Sequence, residues 1–104
     1  MVIGTDWSGE RHDYGATVVV YACTTPVGGG RVTMVADGAG IRVRPRSVAV
    51  DRSGDGVVPF HVTVLNGARG ALRVRQHGTG IEGDAHGPFV AADGDGWHFV
   101  WHDR

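Results

Sequence analysis

The chain has 104 residues, a length that predicts one domain. Its formal net charge is −1 and its acidic and basic residues are interspersed, so it lacks the basic excess of a nucleic-acid-binding protein and we expect no nucleic-acid partner. Hydrophobic residues make up 41% of the chain, which argues against disorder, and the single cysteine, Cys23, excludes an intramolecular disulfide. The start, MVIGTDWSGERHDYG, lacks a charged segment followed by an apolar run, and no segment approaches the ~20 apolar residues that cross a bilayer, so we expect no signal peptide and no membrane partner.

The choice of apolar residue favours β-structure. The chain has seventeen valines but only two leucines, and the branched Cβ of valine suits a strand and is restricted in a helix. Every window of helical length is either interrupted by one of the 18 glycines or has the period-two pattern of a strand. We therefore expect little or no helix.

In chain order, an N-terminal arm or irregular segment, residues 1–15, precedes a series of short predicted strands. Most of these strands alternate apolar and polar residues with period two, and glycine-rich turns separate them. The predicted strands are 16–24, 31–36, 40–44, 47–51, 58–65, 71–76, 88–92 and 97–102. Seven to eight short strands at this spacing predict a single antiparallel sandwich or barrel over residues 1–104.

The stretch DRSGDG at 51–56 can be interpreted as a calcium loop or as a turn. Asp51, Ser53 and Asp55 alternate ahead of Gly56, as oxygen ligands do at the start of such a loop. A calcium loop also needs a carboxylate at its twelfth position, and here that position is Val62. Because Asp, Ser and Gly also supply what a tight turn needs, we predict a bare turn and no metal.

Other residues with catalytic potential have simpler interpretations. His98 and His102 are four residues apart, which on a strand is ~13 Å and too far for one ion. The DGDG at 93–96 is typical of a hairpin turn, and Cys23, in the most apolar strand, is predicted to be buried and inert. The segment 80–88, GIEGDAHGP, has the composition of a surface loop. We predict no catalytic residues, no metal site and no cofactor.

Four arginines are candidates for a contact surface. They alternate with apolar residues on two predicted strands, so their side chains point outward once the apolar face is buried. If the two strands are neighbours, the arginines form one guanidinium patch, whereas in the simpler interpretation they are solvated strand faces. The four are Arg42, Arg44, Arg73 and Arg75.

An aromatic row is the second candidate contact surface. Trp97, Phe99 and Trp101 fall on one face of the last predicted strand. Such a row either closes a core or contacts a partner, since tryptophan and arginine are enriched at interface hot spots. We therefore include Trp97 and Trp101 among the candidate interface residues.

Residues 45–76 contain the pattern Pro-x-Ser-Val-x-Val at 45–50, a glycine-bearing turn, and x-Phe-x-Val-x-Val at 59–64. This third of the chain resembles the middle of bacterial and phage immunoglobulin-like domains, although it lacks the cysteine pair and intervening tryptophan of antibody domains. The resemblance implies an immunoglobulin-like β-sandwich. It also implies an adhesive, spacing or decorating role, often on phage capsids and tails.

The resulting hypothesis is a non-enzymatic structural or interaction module, in its most specific form a phage virion protein of the capsid or tail. Its partners would be other virion or shell proteins and copies of itself, and it would reach the virion by assembly in the host cytoplasm. The alternative is a carbohydrate- or cell-envelope-binding module of a larger surface protein, for which an aromatic platform should be exposed. A small β-fold enzyme using His61 or His86 with a nearby Asp is a third possibility, without an assembled site in the sequence.

Overall fold

The computed structural model describes residues 2–5, 10–23, 30–50, 56–78 and 81–100. All regular structure in these ranges is β. The strands are β1 (Val2–Thr5), β2 (His12–Asp13), β3 (Thr17–Cys23), β4 (Gly30–Arg44), β5 (Ser47–Val50), β6 (Val57–Gly78), β7 (Ile81–Asp93) and β8 (Gly96–Val100).

The strands form one curled antiparallel sheet with the outline of a half-barrel. Its main path runs β1-β3-β6-β7-β8-β2, and β4 joins this path by pairing with β6 and carries β5 on its other side. The prediction of an all-β antiparallel fold is therefore confirmed for the described ranges. Within those ranges no helix has the length and apolar character needed to cross a membrane.

Two long bent strands, β4 and β6, give the sheet its curl. They pair between Arg31 and Arg44 of β4 and between His61 and His77 of β6, but the register shifts between Ala39 and Ile41, where residues 65–68 of β6 have no partner on β4. This bend divides the sheet into two arms. In the β3 arm, residues 57–63 of β6 pair with β3, and in the β7 arm, residues 70–78 pair with β7.

The bend corrects two strand boundaries. The predicted strands 31–36 and 40–44 belong to the continuous β4, and the predicted strands 58–65 and 71–76 belong to the continuous β6. Glycines at the bend, Gly38, Gly40, Gly67 and Gly70, all have positive φ, which other residues rarely adopt. They bend the strands without ending them, whereas glycine in the sequence alone suggests a turn.

Two segments predicted to be irregular are strands. The N-terminal segment 1–15 contributes β1, which pairs with β3, and β2, which pairs with β8. Of the predicted surface loop 80–88, residues 81–88 lie in β7 and residues 81–86 pair with β6, whereas residue 80 lies outside the described residues. In both places the pairing comes from residues distant in sequence, and neither segment has the run of branched residues that marks a strand locally. The predicted hairpin at 88–102 is confirmed as far as Val100, because β7 and β8 pair from Phe89 and Val100 to Asp93 and Gly96 around a two-residue turn; residues 101–102 lie outside the described residues.

The core lies on the concave side of the curl, between the two arms. Val20, Phe60 and Val62 contribute from the β3 arm, and Leu72 and Val74 contribute from the β7 arm; each is at most 1% exposed. Outside the bend, inward and outward residues alternate on β3, β4 and β6, so most polar residues of these strands lie on the convex side; the buried Gln76 of β6 is an exception. The convex side therefore carries the candidate functional residues.

Candidate functional site: a basic face on the β3 arm

The convex side of the β3 arm brings together five polar side chains from three neighbouring strands. Across the strands, Thr17 of β3 lies opposite Thr63 of β6, which in turn lies opposite Arg42 of β4. Two residues further along β4 and β6, on the same convex side, His61 lies opposite Arg44. We call Thr17, Arg42, Arg44, His61 and Thr63 the basic face.

The basic face is a shallow depression rather than a flat surface. Its five side chains line a space of about 370 Å³. The hydroxyl oxygens of Thr17 and Thr63 lie 2.7 Å apart and share a hydrogen bond, which fixes one wall. Directly opposed residues on neighbouring strands have Cβ atoms ~5 Å apart, so the side chains of one row are close enough to contact the same ligand.

The two arginines of the basic face form no ion pair with any residue that the structure describes. Among the described residues, no carboxylate lies within ion-pairing distance of Arg42 or Arg44. Both side chains are exposed. A guanidinium offers five donors in a planar fork that matches a carboxylate or phosphate, and hydroxyl groups beside it add further donors. The arrangement is therefore suited to binding an anionic group.

The other candidate pair, Arg73 and Arg75, lies on the β7 arm in a different electrostatic setting. Arg73 is 3.7 Å from a carboxylate oxygen of Asp37 on β4 and 3.6 Å from one of Asp84 on β7. Its side chain is 28% exposed. The two acidic residues offset its charge, so Arg73 contributes to holding β4, β6 and β7 together more than to attracting an anion. Arg75 is exposed and lies opposite Asp84 on β7.

The register separates the two arginine pairs even though their strands are neighbours. Arg42 lies opposite Thr63 of β6, ten residues before Arg73 on the same strand and on the other side of the bend. Four of these ten residues, 65–68, are unpaired at the bend; along β4 the corresponding interval, from Arg42 to the Val35 that lies opposite Arg73, is seven residues, or roughly 23 Å at about 3.3 Å per residue. The four arginines therefore form two surfaces, and within the described ranges carboxylates lie beside the Arg73 and Arg75 pair but not beside the basic face.

Trp97 lies in the core. It is fully buried, its indole Nε1–H donates to the backbone oxygen of Asp13 over 3.2 Å, and its ring meets Phe99 edge-on at 4.9 Å between centroids. In this structure Trp97 has no surface to offer a partner. Trp101, the other aromatic candidate, lies outside the described residues.

The residues considered for catalysis are dispersed. Cys23 is exposed, so the prediction of a buried thiol is wrong; it is the last residue of β3 and faces outward with Tyr21 and Thr17. His61 belongs to the basic face, and the exposed His86 lies on the β7 arm opposite Arg73. His102 lies outside the described residues. No group of three or more His, Cys, Asp or Glu within the described ranges is placed to hold a metal ion.

The basic face includes three residues that the sequence did not single out as binding candidates, namely Thr17, His61 and Thr63. The alternation in PFHVTV does place His61 and Thr63 on the side opposite Phe60, Val62 and Val64. The alternation does not predict which strands lie next to β6. Thr17, His61 and Thr63 come together with the arginines only because β6 pairs with both β3 and β4.

No protein-family model, curated protein or solved structure matches this chain. Functional inference therefore depends on the geometry of the described residues and on the sequence resemblance given above.

We expect calcium and chelators to leave the thermal stability unchanged. The candidate ligands Asp51, Ser53 and Asp55 lie outside the described residues, but the position that would need the distal carboxylate is Val62, which is fully buried in β6. Melting temperature measured with excess calcium and with a chelator checks this. A rise of many degrees with calcium would show a metal site in this segment, because a ligand that binds only the folded state stabilises it.

Proposed function

We propose that this chain is a non-enzymatic interaction module that uses the basic face to bind an acidic surface of another protein. One observation carries the proposal: Arg42 and Arg44 are exposed beside His61 and Thr63 with no carboxylate of the described residues in reach. The chain as a whole has a net charge of −1, so this local excess of positive charge is not a consequence of composition. Such complementarity steers association and selects partners.

The more specific proposal is an immunoglobulin-like virion domain that decorates a phage capsid or forms part of a tail. Its support is the resemblance of residues 45–76 together with the all-β antiparallel architecture. In that setting the partner would be a shell or tail protein that presents acidic side chains. The alternative of carbohydrate or cell-envelope binding would need an exposed aromatic platform, and Trp97 is buried in the core.

Replacing Arg42 and Arg44 together with alanine should weaken binding to an acidic polymer. Polyglutamate immobilised on a sensor is a suitable probe, with neutral polyglutamine as the reference surface. We expect the double variant to bind at least about tenfold more weakly, equivalent to about 1.4 kcal/mol. Binding by the unmodified chain should also weaken as salt is raised, because the charges are exposed.

The matched control is Arg69→Ala with Arg75→Ala. Both residues are exposed and lie outside the basic face, and the control changes the net charge by the same amount. Unchanged melting temperatures should first establish that both double variants are folded. Equal losses of binding in the two variants would mean that total charge governs the interaction, and the proposal would then be wrong. Absence of binding by the unmodified chain would contradict it as well.

A further inference from the structure

Among the strands that the structure describes, none lies beside the outer edge of β4 over most of its length. The inner edge of β4 pairs with β6 from Arg31 to Arg44, but β5 covers the outer edge only from Gly30 to Thr33. One residue further on, the Met34 N–H donates to the Arg46 carbonyl over 3.0 Å. Beyond it, no strand of the described residues pairs with this edge. Unpaired N–H and C=O groups on a strand edge are a template for adding another strand.

The backbone groups that face this open edge can be identified from the hydrogen bonds of β6. The Val64 carbonyl accepts from the Gly15 N–H over 2.9 Å, on the side of β6 that faces β3. The N–H and C=O of one strand residue point the same way, and the direction alternates along the strand. Val64 therefore directs no hydrogen bond towards its β4 partner, Ile41. Ile41, and Val43 opposite Val62, accordingly direct their N–H and C=O groups outward.

The side chains at the open edge divide by face. Ile41 and Val43 are half-buried and pack against the core on the concave side. Arg42 and Arg44 lie on the convex side, within the basic face. The bend of β4 brings residues 33–36 and residues 41–44 around a groove of about 690 Å³, which Pro45 and Arg46 complete. The edge thus offers a backbone template with apolar contacts on one side and positive charge on the other.

We propose that a partner protein adds an extended segment, antiparallel to β4, at residues 41–44, and that in this segment acidic residues alternate with apolar ones. The proposal rests on the proposed function, because it names the kind of partner that the basic face would hold. Directly opposed residues on antiparallel strands point to the same face. Apolar residues of the segment therefore lie against Ile41 and Val43, with their amides bonded to β4. Acidic residues lie against Arg42 and Arg44.

Charge favours this occupant over a second copy of the chain. Pairing residues 41–44 with the same residues of another copy would place Arg42 and Arg44 across from arginines, and like charges opposite each other destabilise a strand pair. Exposed charges on an edge strand also discourage self-pairing in general. Arg46, exposed at the end of the groove, has no ion pair with a described carboxylate and adds a third positive charge there.

The test uses short capped peptides of alternating Glu and Val, and the variable is the position of backbone N-methylation. In the proposed arrangement the Val amides bond to β4 and the Glu amides point away. Methylating the Val amides should lower the affinity by at least about tenfold, as the loss of backbone hydrogen bonds predicts. Methylating the Glu amides should leave it within about threefold, because those groups face solvent. Fluorescence anisotropy with labelled peptides measures both.

Equal affinities of the two methylated peptides, or no binding of the parent peptide, would overturn strand addition. If polyglutamate binding still depends on Arg42 and Arg44 in that case, the basic face keeps its proposed function and only the edge inference fails. If that dependence is absent too, both proposals fail. A second copy of the chain is the other candidate occupant of the edge. If the chain alone forms a concentration-dependent dimer, and if Val43→Pro dissociates this dimer while the control Val43→Ala does not, the edge binds a second copy and the proposal of an acidic segment is wrong.

Discussion

Replacing Trp97 with alanine is expected to lower the free energy of unfolding by about 3–5 kcal/mol, which is a large part of the ~5–15 kcal/mol typical of a single domain. The side chain is fully buried, so its removal leaves a cavity into which the surroundings relax only partly. Its ring centroid lies 4.8 Å from that of His12 on β2 and 4.9 Å from that of Phe99. The variant also loses the hydrogen bond from the indole to Asp13.

Trp97→Phe is the matched control, since it keeps an aromatic ring in the same place. It loses the hydrogen bond and part of the volume, so its destabilisation should be clearly smaller than that of Trp97→Ala. Urea unfolding followed by circular dichroism measures both variants. A loss of less than about 1 kcal/mol for Trp97→Ala would contradict the core assignment, because such values are usual for exposed sites. It would also return Trp97 to the candidates for a contact surface.

Alanine at Gly38 or Gly70 is expected to cost about 2–5 kcal/mol, the combined cost of backbone strain and of forced repacking. These glycines lie directly opposite each other on β4 and β6 at the bend of the sheet. Their φ angles are +138° and +136°, a region that is almost restricted to glycine. A Cβ on Gly38 would overlap the backbone oxygen of Arg69, and one on Gly70 would overlap that of Asp37.

Gly67→Ala separates strain from overlap. Gly67 is also at the bend and has a φ of +84°, but a Cβ there would meet nothing within 4 Å. We expect it to cost about 1–2 kcal/mol, the usual penalty for a left-handed residue with a side chain. Urea unfolding again provides the measurement. Equal costs at Gly67 and Gly38 would show that β4 and β6 do not approach each other at the bend as closely as the structure has them.

The sequence predicts the strands of this fold better than their connections. The alternation of apolar and polar residues in PFHVTV and RVTMVA correctly identifies the strands and their inward faces, because side chains of an extended backbone point alternately to its two faces whatever the neighbouring strands are. In the sequence, Gly38 and Gly40 suggest that a strand ends there. In the structure, β4 continues through both glycines and bends. A glycine at positive φ supports either outcome, and the choice depends on whether a distant partner strand continues beside it.

The candidate site shows the same limit. Alternation predicts that Arg42 and Arg44 point outward, and both are exposed in the structure. It cannot predict that Thr63 and His61 lie beside them while Asp37 and Asp84 lie beside Arg73. These neighbours are fixed by the long-range register of β6 with β3, β4 and β7. Four arginines of similar local pattern therefore divide into one pair without carboxylates and one pair beside them.

The most direct test of the basic face as the binding surface is an NMR titration of the isotopically labelled chain with the alternating Glu and Val peptide. Amide shifts are predicted to be largest in residues 41–44 of β4, with smaller changes at 61–63 of β6 and at Thr17 of β3. The core residues Val74 and Phe99 should change little. Shifts centred instead on residues 73–86 of the β7 arm, or no shifts under conditions where the peptide binds, would contradict the account.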